Sequence, residues 1–347
     1  MTPVKTGRLR SRLCTGCPGG MTPADILSLS VLTLDRVTSS MLISFLLLIG
    51  GFIGLLGGGE LTVRGASAVA ARLRINPYVI GATVIAFGTS APELVVTLTA
   101  SFRGSTELAL GNVVGSNIAN LGLILGLTAT VGALTLNPKT LRGETPAFIA
   151  VVILLTWFAW DGTVGRTEGL ILLAGGVGTG AMLYFSSRQG DGEPEIPSIG
   201  LVLSIVFILF GFVGLIGGAQ LLVEGAVRIA EMMGVPEWVI GVGVVAVGTS
   251  LPEVAASLVA AFKGQGEIAV GNVIGSNAFN VFLVLGLGGT LQPIRALSDI
   301  RGDLIFLFWE SAFVLAVLYL TRGIPRWSGL LLLIGYAVYV GVRFSGA

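Results

Sequence analysis

Residues 79–98 read VIGATVIAFGTSAPELVVTL, and residues 239–258 read VIGVGVVAVGTSLPEVAASL. Eleven of the twenty positions are identical at a constant offset of 160. A second pair keeps that offset: ELALGNVVGSNIAN from Glu107 and EIAVGNVIGSNAFN from Glu267 agree at nine of fourteen positions. Each copy of the first stretch sets a glutamate, Glu93 or Glu253, inside an apolar segment. A charged side chain at the centre of a bilayer costs about 2.5–3.5 kcal/mol on insertion scales. A purely structural span gains nothing from carrying that cost twice beside helix-breaking Pro and Gly. The economical reading is a cation site.

Composition sets the surroundings. The 347 residues are 53% hydrophobic and 11% charged, against roughly a quarter charged in soluble domains, so the chain reads as a polytopic membrane protein. A net charge of +1 and the lack of a basic, aromatic-rich patch give no reason to expect nucleic acid as a partner. The sequence holds no histidine, which removes imidazole proton relays, intramembrane zinc proteases and Ser–His triads. An intramembrane aspartyl protease needs two facing aspartates, and Asp303 stands at a span entrance without such a partner. Cys14 and Cys17 form a lone CxxC, read as an incidental thiol pair. Residues 1–40 are polar, with Lys5, Arg8, Arg10 and Arg12, and read as a disordered extension or a mis-called start ahead of Met41.

Windows of about 20 apolar residues predict ten spans. They lie near 41–58, 78–102, 107–134, 145–160 and 168–186, then 199–222, 238–262, 267–291, 303–321 and 327–345. A polar linker, 187–198, divides the chain into 41–186 and 199–347. Five spans per half is an odd number, so the second half enters the membrane from the opposite side, the inverted-repeat signature of secondary transporters. The expected fold is an all-α polytopic membrane protein of ten transmembrane helices, in two inverted five-helix repeats with helices 2 and 7 broken. The Lys and Arg distribution leans towards an outside N-terminus.

The motifs supply oxygen donors. Proline inside a helix removes an amide donor and frees a carbonyl four residues back, so Pro92 and Pro252 are expected to open the helix beside each glutamate. Unpaired carbonyls are tolerated at membrane depth only where they line a cavity or meet a ligand. Thr89 and Ser90 stand four and three residues before Glu93, on one helix face; Thr249, Ser250 and Glu253 repeat this. Asn112, Ser116 and Asn120, repeated as Asn272, Ser276 and Asn280, form a polar stripe on an otherwise apolar helix. Such a stripe serves either as interhelical hydrogen-bond glue or as ligands, with Asn120 and Asn280 the better ligand candidates. Gly111, Gly115, Gly271 and Gly275 allow close helix approach. Carboxylate, hydroxyl and amide oxygens without imidazole or thiolate select hard cations. Ca²⁺ takes roughly 6–8 oxygens in flexible geometry, and two carboxylates balance its charge. Glu107 and Glu267, at span entrances, suit the helix dipole and read as structural. Glu60 has Gln220 as its counterpart and is given no role.

GTSAPE with GSNIAN, and GTSLPE with GSNAFN, resemble the paired signature repeats of the cation/Ca²⁺ exchanger superfamily, and within it the prokaryotic sodium/calcium exchangers. The resemblance covers about residues 41–347. It implies ion sites at mid-membrane among spans two, three, seven and eight, and antiport of several Na⁺ against one Ca²⁺ by alternating access. It places the Ca²⁺-coordinating acids on Glu93 and Glu253, with the carbonyls of Thr89 and Thr249. It places the Na⁺ ligands on Ala86, Ser90, Ser116, Ala246, Ser250 and Ser276, with Asn120 and Asn280 at the remaining polar positions. It further implies an integral protein of a bacterial or archaeal inner membrane, in contact with lipid, with Ca²⁺ and Na⁺ as cargo. No enzymatic activity, cofactor or obligate protein partner is expected. Relatives that require K⁺ carry Asp where this chain has Asn280, so no K⁺ requirement is expected. The nearest alternative is an H⁺/Ca²⁺ exchanger working through the same glutamates.

Overall fold

The computed structural model describes residues 23–187, 199–234, 246–295 and 300–345. Residues 1–22 with Cys14 and Cys17, the linker from 188 to 198, and the start of the seventh expected span with Gly241 and Gly243 lie outside the described residues.

Helix α1 (Pro23–Leu73) is 51 residues long. Pro23 opens it, where a missing amide N–H is no loss, and neither Gly nor Pro interrupts the run before Gly50. Residues 23–40 were expected in the polar extension. They are helical instead, because nothing in their sequence breaks a helix that the apolar run beyond Met41 propagates. Arg74, with φ of 54°, closes α1 in the left-handed region.

The first bent element comprises α2 (Pro77–Ile80), a π-helical segment π1 (Gly81–Ile85), α3 (Ala86–Thr89) and α4 (Ala91–Phe102). Its two arms meet at 47°. Next come α5 (Thr106–Ala119), π2 (Asn120–Leu125) and α6 (Gly126–Val131) in one line, then strand β1 (Leu134–Thr135). Helix α7 (Pro138–Ala159), strand β2 (Thr163–Val164) and helix α8 (Arg166–Ser187) follow. After α9 (Leu201–Met232) the pattern returns: α10 (Ala246–Thr249), α11 (Leu251–Phe262), α12 (Gly266–Phe279), π3 (Asn280–Leu285) and α13 (Gly286–Leu291). Strand β3 (Ile294–Arg295), α14 (Arg301–Thr321), β4 (Gly323–Ile324) and α15 (Arg326–Ser345) complete it.

Among the described residues, five helices are long and apolar enough to cross a membrane, or six when the bent pair counts as one span. Burial sorts them. The most apolar windows of Thr106–Val131 and Gly266–Leu291 are 67% and 83% buried, against 22% and 28% for those of α1 and α9. The α5 and α12 lines therefore form the centre, and α1 and α9 turn most of their apolar surface outward.

The two outer helices pack on small residues. A Cβ on Gly58 would stand 2.5 Å from the amide nitrogen of Leu215, and one on Gly218 would stand 2.6 Å from that of Leu55. Each helix thus meets the other through positions related by the 160-residue offset, at a distance only glycine permits. The short strands cross between halves in the same reciprocal way: β1 pairs antiparallel with β4, and β2 with β3.

Candidate cation site

Both helix breaks have one backbone geometry. Ser90 (φ −83°, ψ 8°) and Ser250 (φ −88°, ψ 3°) leave the helical region, and a new helix starts at the next residue. Pro92 and Pro252 accordingly lie in the first turn of α4 and α11, where proline is tolerated, and not in a helix interior as the spacing suggested. Glu93 and Glu253 fall in those same first turns, with the dipoles of α4 and α11 favouring their negative charge. The last carbonyls of α3 and α10 end at the break, where helices leave acceptors without intrahelical partners. That of Ala86 receives the Ser90 amide at 3.0 Å.

The side chains interlock across the halves. Ser90 Oγ donates to Glu253 Oε1 at 3.0 Å, and Ser250 Oγ donates to Glu93 Oε1 at 3.2 Å. Thr89 lies beside Glu253 and Thr249 beside Glu93. Both glutamates are 1% exposed, and the Oε2 of each has no hydrogen-bond donor among the described residues. An unsatisfied buried acceptor costs about 1–3 kcal/mol, and more when charged, so these two oxygens are what a cation would neutralise.

The polar stripes divide into two tasks. Asn112 Nδ2 donates to Thr97 Oγ1 at 2.9 Å and to the Glu93 carbonyl at 3.3 Å. Asn272 Nδ2 repeats this with Ser257 Oγ at 3.0 Å and the Glu253 carbonyl at 3.5 Å. Asn272 Oδ1 also accepts from Thr89 Oγ1 at 3.3 Å. These asparagines brace the broken helices. Further along, Asn120 Nδ2 donates to Asn277 Oδ1 at 2.9 Å, and Asn277 Nδ2 to the Asn117 carbonyl at 3.3 Å. Asn120 Oδ1, Ser276 Oγ and both polar atoms of Asn280 are buried without partners among the described residues.

Of the residues singled out from sequence, Ala86, Thr89, Ser90, Glu93, Ser116, Asn120, Ser250, Glu253, Ser276 and Asn280 are buried, and Thr249 is partly buried. Ala246 opens α10, and its side chain lies outside the described set. Sequence reasoning missed Thr97, Ser257, Asn117 and Asn277. Thr97 and Ser257 were detectable, since each follows its glutamate by four residues and shares its face. Gly271 and Gly275 bring α12 against the first bent element: a Cβ on Gly275 would stand 2.4 Å from Ala82 Cα. The segment that Gly111 and Gly115 would meet by the same offset lies outside the described residues. Glu267 accepts the Asn137 amide at 2.9 Å, a structural task, and Glu60 pairs with Lys263.

The donors are all oxygen. No group of three or more Asp, Glu, His or Cys side chains able to hold a metal occurs among the described residues. A separate cavity of about 400 Å³, lined by Phe87, Leu173, Val177, Phe279 and Phe282 among others, offers no carboxylate and is not this site.

Comparison with known proteins gives a consistent result. The family described as "Sodium/calcium exchanger protein" matches residues 43–175 and 203–345. The putative antiporter CaxA of Alkalimonas amylolytica is 36% identical over 318 residues, covering 88% of this chain and 100% of that protein. The sodium/calcium exchanger MaX1 of Methanosarcina acetivorans is 30% identical, covering 87% and 99%. A solved structure of the sodium-calcium exchanger NCX_Mj superposes with a TM-score of 0.77 at 30% identity, covering 86% of this chain and 98% of that one.

Proposed function

Because the chain belongs to the sodium/calcium exchanger family, we propose that its Na⁺ and Ca²⁺ share one oxygen-lined site between the two helix breaks. The protein is an integral membrane antiporter that exchanges Na⁺ for Ca²⁺. Ca²⁺ is held by the carboxylates of Glu93 and Glu253 with the carbonyls of Thr89 and Thr249. Na⁺ uses Ala86, Ser90, Ser116, Ala246, Ser250 and Ser276, and Asn120 and Asn280 complete the wall. The observation that carries this reading is the reciprocal serine–glutamate pair, which leaves one buried oxygen on each carboxylate without a donor among the described residues.

The chemistry follows from charge and ligand count. Ca²⁺ takes roughly 6–8 oxygens at about 2.3–2.6 Å, and two carboxylates neutralise it. Na⁺ ions replace it in smaller portions by recruiting the serine oxygens that otherwise donate to the glutamates. Competition for overlapping oxygens makes the exchange obligatory: neither load fits beside the other. Asn280 brings no charge, so no K⁺ is needed to balance the site.

The frame we infer is ten spans in two inverted five-helix repeats, 41–186 and 199–347. Support comes from the recurrence of described elements at the 160-residue offset, among them the breaks at Ser90 and Ser250 and the π segments at Asn120 and Asn280; the positions that would answer to α2 and π1 lie outside the described residues. Helices α7, α8, α11 and α15 stand at the remaining expected positions. Two like units of opposite orientation around a central site suit alternating access. The test is ⁴⁵Ca²⁺ flux in proteoliposomes under imposed Na⁺, H⁺ or K⁺ gradients. Flux driven by Na⁺ and insensitive to a protonophore is expected. Flux driven by H⁺ alone would replace this reading with cation/proton exchange.

A further inference from the structure

A third carboxyl lies at membrane depth outside the site described above. Glu310 stands near the middle of α14, is 7% exposed, and neither of its carboxylate oxygens has a hydrogen-bond partner among the described residues. Its slot is shaped for it. Oε1 lies 2.5 Å from where a Cβ on Gly122 of π2 would be, and Tyr336 Cβ of α15 lies 2.8 Å from that same point. At the 160-residue offset the other half carries Phe282 for Gly122, Gly176 for Tyr336 and Ala150 for Glu310. There the Phe282 side chain packs over Gly176, its Cβ 3.0 Å from where a Cβ on Gly176 would stand. One half fills this place with an aromatic ring. The other clears it with Gly122 and inserts a carboxyl.

Among the described residues no base bonds to Glu310: Arg301, nine positions back on α14, lies over the Trp160 ring, and Arg326 of α15 donates to the Val131 carbonyl. Tyr336 faces Glu310 from α15. On α14 itself, Asp303 is seven positions away and already bonded to Tyr339 and Arg343. On α5 the one acid, Glu107, stands at the opposite end from π2, and the line contains no base. The described side chains of α7, residues 148–159, include neither acid nor base, and β4 contains none. An ionised carboxylate taken from water into such a place costs several kcal/mol unless a cation accompanies it. We propose that Glu310 is a second cation site, taking one exchangeable monovalent cation against the π2 wall. A lone carboxylate matches a single positive charge and leaves a divalent ion half-neutralised. H⁺ and Na⁺ share that charge. Because π2 begins at Asn120, two residues before Gly122, occupancy at Glu310 bears on the wall of the exchange site and so on transport.

The test compares wild type with Glu310→Gln, which keeps the shape and removes the charge, in proteoliposomes of the full chain. If the cation is Na⁺, the Hill coefficient for Na⁺ in Ca²⁺ exchange falls by about one in the variant, since it is bounded by the number of sites, and the pH profile is unchanged. If it is H⁺, the Na⁺ dependence is unchanged and the acid limb of the pH profile shifts. Ca²⁺/Ca²⁺ exchange should persist in either case, which separates this proposal from failure of the central site. Na⁺ and pH profiles that both superpose on wild type would overturn it. Should Glu310→Gln not fold, infrared difference spectra of the Glu93→Gln/Glu253→Gln protein read the same group, because Glu310 is then the remaining buried acid among the described residues. A carboxyl band that responds to Na⁺ or pH steps supports the site, and a silent spectrum overturns it.

Discussion

Glu93 and Glu253 each accept from a serine of the opposite half through one oxygen and keep the other without a donor among the described residues, and this division sets what single substitutions do. Glu93→Gln or Glu253→Gln removes a bare anionic oxygen, so Ca²⁺ flux should vanish while the protein elutes from a sizing column as wild type. Ser90→Ala strips the donor from Glu253 Oε1 and removes a proposed Na⁺ ligand, but leaves both carboxylates. It should weaken the apparent Na⁺ affinity by about tenfold, the equivalent of one hydrogen bond at about 1–1.5 kcal/mol, and disturb Ca²⁺ binding less. Asn112→Ala acts through the helix it braces. It should lower the melting temperature and the affinity for both ions together, a pattern that separates bracing from ligation in a paired flux and melting series. The glutamates were legible because a charge in an apolar run stands out by itself. The asparagines were not, since Asn112 and Asn120 lie on one stripe at helical spacing. Only the crossing of α5 with the bent helix decides which one braces and which one keeps a buried oxygen without a partner among the described residues.

At the scale of the elements, the outcome turns on where helices stop and how closely they approach. The breaks were anticipated from GTSxPE, but the stop falls at Ser90 and Ser250 rather than at the prolines, which serve as first-turn residues of new helices. The start of α1 at Pro23, the π segments and the two-residue strands were not legible. A two-residue strand has no periodicity to detect, and a π turn differs from an α turn by packing more than by composition. The α1–α9 seam makes a stability prediction. Gly58→Leu would drive a side chain into the backbone at Leu215, and overpacking of this kind costs about 1–3 kcal/mol or more. Thermal melts in detergent should show a clear loss, whereas Gly57→Leu, with open space around its Cβ among the described residues, should melt near wild type. The turn after α7 gives a pH-dependent counterpart. The Thr163 amide and hydroxyl hold the Asp161 carboxylate below its ordinary range. A group so held adds stability above its unfolded-state value and loses it as pH falls through the folded one. Melts of wild type and Asp161→Asn should therefore differ slightly near neutrality and converge in acid.

Across the whole molecule, one offset of 160 residues relates the breaks, the π segments at Asn120 and Asn280, the glycine seam and the strand crossings. Neither half holds both parts of the proposed site: each glutamate takes its hydroxyl from the other half, which puts the proposed cation site at their junction. The duplication was plain in the sequence. The crossed serine–glutamate pairing was not, because it depends on two helices 160 residues apart meeting at their breaks. The departures from symmetry at Gly122 and Glu310 can be read at that offset, but that the two positions meet is not legible there. The central claim is that both glutamates hold the same Ca²⁺. Equilibrium binding of ⁴⁵Ca²⁺ to the purified protein in detergent tests it most directly. The account predicts one Ca²⁺ per chain, displaced by Na⁺ and absent from Glu93→Gln and from Glu253→Gln alike; two Ca²⁺ per chain, or either variant binding one with wild-type affinity, would contradict it.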